Sequence, residues 1–138
     1  MIGVHQTSFV ASMEAPIPGN CIQAAVASVL ELPLDGVPHF LLFGDWWGIA
    51  LIRFLQARGL SLRTWTDRDD WAAYWVEQGV PSEPLAAAPA DQVLIVSGPS
   101  PRGDWLHVAV YRGTELLHDP HPEGNGIAGD PVEIWMIS

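Results

Sequence analysis

The stretch PIPGNCIQAAVASVLEL, residues 16–32, decides how the chain is read. Asn20 is a candidate N-cap and Gln23 follows three residues later, the spacing of a capping box. Ile22, Val26, Val29 and Leu30 then recur at helical spacing, while Ala24, Ala25, Ala27 and Ser28 keep the other faces small. Such a helix can be buried against neighbours on more than one side. It is expected to end near Leu32, ahead of Pro33. Its first residue is Cys21, the only cysteine in the chain, behind a Pro-rich approach. Cys21 is therefore either a small buried apolar residue or a nucleophile. A helix start favours the second reading, because unpaired N–H groups and the positive end of the macrodipole favour an anion there, and the thiolate is the attacking form.

Working outward, a second helix is expected from Trp46 to Arg58, with Asp45 as cap and Gly59 as stop. The alternation of LSLRTW (60–65) predicts a short strand. DRDDWAAYWVEQG (67–79) predicts a third helix, acidic in its first turn and closed by Gly79. VPSEPLAAAPADQ (80–92) reads as a surface connection. Strands follow in VLIVSG (93–98), WLHVAVY (105–111), ELLHD (115–119) and VEIWMIS (132–138), with a hairpin around RGT (112–114) and a loop over 121–131. Helices come first and strands later, so the expected class is α+β, with N-terminal helices packed on a C-terminal antiparallel sheet.

The 138 residues suit one domain, 1–138, with one core. Apolar residues make up 49% and charged ones 16%, a globular balance. The net charge of −10, with six Lys and Arg in all, would repel a phosphate backbone, which argues against nucleic-acid binding. No apolar run approaches the ~20 residues of a membrane span, so no membrane insertion is expected, and MIGVHQTSF has no signal-peptide character. One cysteine makes no internal disulfide, and a cytoplasmic, reducing setting is expected. Seven tryptophans are many for this length. Core filling accounts for most, and a few can line a groove.

A thiol nucleophile needs a base, and the base needs an orienting partner. The histidines are His5, His39, His107, His118 and His121. Strand alternation puts His107, Ala109 and Tyr111 on one face and Leu106, Val108 and Val110 on the other. Ala109 beside His107 would let a helix approach closely. His107 is either a core histidine bonded to backbone or the base.

Cys21 opening an early helix, followed by HVAVYRGTELLHDP (107–120) in a late hairpin, resembles the papain-like cysteine peptidase superfamily. The nearest likeness is to the bacteriocin-leader (double-glycine) peptidases that form the N-terminal domain of some export transporters. The likeness runs through most of the chain in order, and its specific parts are the short Cys and His–Asp segments. It implies a papain-like fold and a Cys–His–Asp triad at Cys21, His107 and Asp119, with Pro120 behind the Asp. The implied activity is that of a thiol protease or amidase working through a thioester acyl-enzyme, with no cofactor and no metal. Its substrate would be a peptide, a protein or a small amide. Two features depart from the family. Its oxyanion-hole Gln lies a few residues before the Cys, whereas Gln6 is the only upstream Gln here and reaches Cys21 only if the segment between loops outward; the alternative is that the Asn20 side chain, or backbone alone, does this work. CIQAAVAS also lacks the Gly or Trp common after the Cys.

The hairpin sets a register question. A two-residue turn, Gly113–Thr114, places His118 on the face of His107 and Asp119 on the other. A three-residue turn sets Asp119 opposite His107, and a bulge or a bend at Pro120 serves the same end. Two further functions stay open. His118, Asp119 and His121, with His107, offer ligands for Zn²⁺ or Fe²⁺. A non-catalytic binding module would use DGVPHFLLFGDWWG (35–48), where Trp46 and Trp47 follow a Gly–Asp turn. Transfer to an amine would use the same triad as hydrolysis.

Overall fold

A computed structural model describes residues 1–9 and 19–138. The Pro-rich approach to Cys21 and the outward loop expected there fall largely on residues 10–18, outside the described residues. The chain forms helix α1 (Cys21–Leu30), 3₁₀ turns over Leu34–Gly36 and Phe40–Trp46, helix α2 (Trp47–Gln56), strand β1 (Leu62–Trp65) and helix α3 (Asp69–Glu77). A two-residue strand β2 (Ser82–Glu83) and a 3₁₀ turn (Leu85–Ala87) follow, then β3 (Val93–Pro99), β4 (Leu106–Arg112), β5 (Glu115–His118) and β6 (Glu133–Ile137). The class is α+β, as the order of patterns predicts. The six strands lie in the order β2-β1-β6-β3-β4-β5. Every neighbouring pair is antiparallel except β1–β2, so the sheet is mixed rather than purely antiparallel. β2 comes from the segment read as a plain connection.

α1 is the central helix. Ala24, Ala25, Val26, Ala27 and Ser28 are all fully buried, and the small side chains let the helix sit close to the sheet. Ala25 and Val26 share the main core with Val108 and Val110 of β4, Ile95 of β3 and Trp135 of β6. The valine face of β4, not the Ala109 face, therefore meets the helix. Ala109 pairs with Val96 on the other side of the sheet, where Val96 packs with Trp65, Leu94 and Ile134.

The capping expectations fail. Asn20 makes no side-chain cap to α1. Its Oδ1 instead accepts the N–H groups of Thr7 and Ser8, both at 2.9 Å, which ties the N-terminal segment to the helix start. Gln23 Oε1 accepts from Asn20 Nδ2 at 3.1 Å, and its Nε2 donates to Leu34 O and Val37 O rather than serving the helix end. α1 stops at Leu30 because Glu31 adopts a left-handed conformation (φ 57°), from which its N–H returns to the last turn. α2 begins one residue later than expected, out of the 3₁₀ turn, and Asp45 does not cap it. Gly59 and Gly79 stand just past α2 and α3 with positive φ, as their stop role predicts.

Among the described residues, no single helix is long and apolar enough to cross a membrane.

Candidate functional site

The hairpin resolves its register with a bulge. The turn is the two-residue one, Gly113–Thr114, with Arg112 opposite Glu115 and Tyr111 opposite Leu116. Between Tyr111 and Val110 the pairing slips, so that Val110 faces His118 and Leu117 is the extra residue. The slip reverses parity for everything beyond it. His118 takes the face of Val110, and Asp119 takes that of Ala109 and His107. The His107 Nε2 atom lies 2.6 Å from Asp119 Oδ1, with both side chains buried.

Asp119 is held from three sides. Oδ1 also accepts the His121 N–H at 2.8 Å, a local Asx turn. Oδ2 accepts the Gly126 N–H at 2.7 Å. Gly126 has φ 67°, and a Cβ there would run into the Tyr111 hydroxyl, so glycine alone brings this N–H to the carboxylate. Burial pushes the Asp119 carboxyl up, but the bond from His107, the two backbone N–H groups and the charge of His107 hold it below the usual range.

With Nε2 engaged, Nδ1 of His107 is left for a second partner, and the Cys21 thiol lies near enough to act on the imidazole. Burial alone would lower the imidazole. The hydrogen bond to Asp119 and the nearness of Cys21, with the charges of both, outweigh it and raise His107 to about 9. Thiol, imidazole and carboxylate thus stand together, with the imidazole favoured as its cation.

Gln6 also comes to this place. It is buried, and its backbone N–H donates to Pro120 O at 2.9 Å, directly beyond Asp119. Its Nε2 donates to Ser8 O at 2.9 Å, and its Oε1 has no hydrogen-bond partner among the described residues.

The other histidines separate. His118 Nε2 meets Val4 O at 2.8 Å and its ring lies against His5, so it fastens the N-terminal segment. His121 packs edge-on to His107. Burial, then the charge of Arg102, lowers its pKa. Among the described residues, no group of three or more His, Cys, Asp or Glu side chains is arranged to hold a metal ion.

Cys21 and His107 open on a cleft of about 880 Å³. Its far part is aromatic, with Trp47, Tyr74, Trp75 and Trp135 around Glu133. Trp46, by contrast, is exposed and lies outside the cleft lining, and Trp65 is in the core on the other side of the sheet. The residues that pattern reading missed are Gly126 and Glu133. Gly126 carries no signal in a single sequence. Glu133 does, because the alternation of VEIWMIS sets it on the face of Trp135, a charge on a core face.

No protein-family model, no curated protein and no solved structure matches the chain.

Proposed function

We propose that the protein is a papain-like cysteine hydrolase that cleaves an amide, isopeptide or related acyl bond of a peptide, protein or small amide. The observation that carries this is the grouping of half-buried Cys21 with the buried His107–Asp119 pair, opening on the cleft. His107 takes the thiol proton as Cys21 Sγ attacks the carbonyl carbon, and the carbonyl electron pair moves onto oxygen. The Cys21 backbone N–H and Gln6 Nε2, which has a second hydrogen besides the one given to Ser8, receive the oxyanion. Collapse expels the amine, which takes its proton from the His107 imidazolium and leaves a thioester on Cys21. His107 then takes a proton from water, hydroxide adds to the thioester, and the thiolate leaves as the acid forms. Asp119 orients the imidazole and stabilises its cation throughout. The steps use side chains and water alone, and a reducing compartment such as the cytoplasm keeps the thiol available. An amine in place of water gives transfer by the same route.

The test is alkylation of Cys21 by iodoacetamide. The wild-type thiol should react well above the rate of a free peptide thiol at neutral pH, and His107→Ala should abolish the excess. A thiol no faster than a free peptide thiol overturns the reading. That outcome favours a non-catalytic binding module, for which the exposed Leu42, Phe43 and Trp46 of the Phe40–Trp46 turn speak.

A further inference from the structure

The cleft does not end at the thiol. Val108, next to His107, lies directly across the sheet from Ser97, and Ser97 lies across from Glu133. Directly paired residues share a face, so these three form one row along the cleft floor. Two strand spacings separate Val108 from Glu133, about 10 Å. All three line the cleft.

Glu133 is 5% exposed and makes no ion pair among the described residues. Its two oxygens accept the indole N–H of Trp75 at 2.9 Å and of Trp135 at 2.7 Å. A neutral acceptor would serve two indoles as well, without the cost of burying a charge. Each oxygen keeps a lone pair. Beside the carboxylate the rings of Trp47, Trp75 and Trp135 pack on one another edge-on or tilted, with centroids 5.7 to 6.3 Å apart. Aromatic faces and a carboxylate both attract cations. Arg68 acts on Glu133 only as a charge at a distance.

We propose that the Glu133 end of the cleft receives a cationic group of the substrate, an ammonium or guanidinium carried about one side-chain length from the bond that Cys21 attacks. The proposal takes from the hydrolase reading only that the cleft holds substrate. Trp75 and Trp135 aim the carboxylate, and Trp47 supplies a wall. The cleft is polarised to match. Arg102, His107 and His121 line it together with Cys21, while Glu133 and the exposed Asp45 supply its negative charge. A net charge of −10 also draws cations toward the molecule.

The experiment uses the full chain carrying Cys21→Ala, so that binding is read without catalysis. N-acetyl-arginine amide and its neutral isostere N-acetyl-citrulline amide are titrated while tryptophan fluorescence is followed. The arginine probe should bind at least about 10-fold more tightly, a difference of about 1.4 kcal/mol. Glu133→Gln should erase that preference, and Trp47→Leu, whose half-buried ring can be lost with less risk to the fold, should reduce it. Equal binding of the two probes overturns the proposal with no further variant needed. A preference that survives in Glu133→Gln overturns the assignment to this carboxylate. Because Cys21 is absent, an inert thiol in the alkylation test leaves this result standing, and equal binding here leaves the hydrolase reading standing.

Discussion

Asp119 and Glu133 are two carboxylates almost wholly out of water, 4% and 5% exposed, and their surroundings drive them in opposite directions. Asp119 faces an imidazole that can carry charge and two backbone N–H groups, and its pKa is lowered. Glu133 faces two indoles that donate but never charge. Burial raises its pKa and the two bonds offset this only in part. Donor count alone does not explain the difference. A titratable partner that becomes a cation turns a buried carboxylate into half of an ion pair. Neutral donors leave a buried charge with an unmet demand. The first arrangement suits chemistry, and the second suits capture of a charge from outside.

The largest effects test the first arrangement. Cys21→Ala and His107→Ala should each lower turnover of a peptide amide by about 10³-fold or more. For Cys21→Ala the fold should survive, at a stability cost of about 1 kcal/mol in thermal melts. If Cys21→Ala unfolds the protein, the residue is structural.

Asp119→Ala comes next. Turnover should fall by about 10²–10⁴-fold, and stability by about 1–3 kcal/mol as buried donors lose their acceptor. Asp119→Asn should be milder, since an amide oxygen still accepts from the imidazole. His118→Ala should cost about 1 kcal/mol for its lost bond to Val4 and leave turnover near wild type. A fully active Asp119→Ala protein would reduce the site to a Cys21–His107 dyad.

Gln6→Ala should lower kcat by about 10²-fold with KM little changed, as expected when an oxyanion donor is lost. An unchanged kcat would leave the Cys21 backbone N–H as the donor.

The smallest effects are in the pH dependence of stability, and there the two carboxylates should differ in sign. The lowered Asp119 binds fewer protons folded than unfolded. Its contribution is present above the ordinary value of 3.8 and is lost as pH falls through the folded value. The raised His107 has its full contribution below 6.5 and loses it as pH rises through about 9. The raised Glu133 binds more protons folded than unfolded, so stability declines as pH rises from 4.5 through the folded value. Denaturant midpoints across pH should show Asp119→Asn flattening the acid limb and Glu133→Gln removing the decline above it. Parallel changes in the two variants would break the comparison.

The parts of the site that rest on local pattern were legible in the sequence. Cys21 at a helix start follows from the spacing of Ile22, Val26, Val29 and Leu30, and the β4–β5 hairpin from alternation about Gly113. Asn20 and Gln23 have the right spacing for a capping box, but their amides go to Thr7, Ser8, Leu34 and Val37, partners that only the tertiary fold brings near. The same limit hid Gly126, whose N–H reaches Asp119 across seven residues of loop. Glu133 was readable as a charge on an inward face. What surrounds it comes from Trp47 of α2 and Trp75 of α3, which no short window around Glu133 contains.

The bulge at Leu117 makes the site depend on which residues pair rather than on residue type. A substitution at Leu117 keeps the count between Tyr111 and Asp119 and leaves the parity alone. Deleting that one residue would remove the bulge and still set His118 opposite Val110 and Asp119 opposite Ala109, so the facing would survive. Keeping Leu117 but pairing it with Val110 would exchange the faces of His118 and Asp119 without altering any residue of the triad. Parity along this hairpin is therefore held by the one residue left out of the ladder, and a deletion that shortens the strand by that residue is silent.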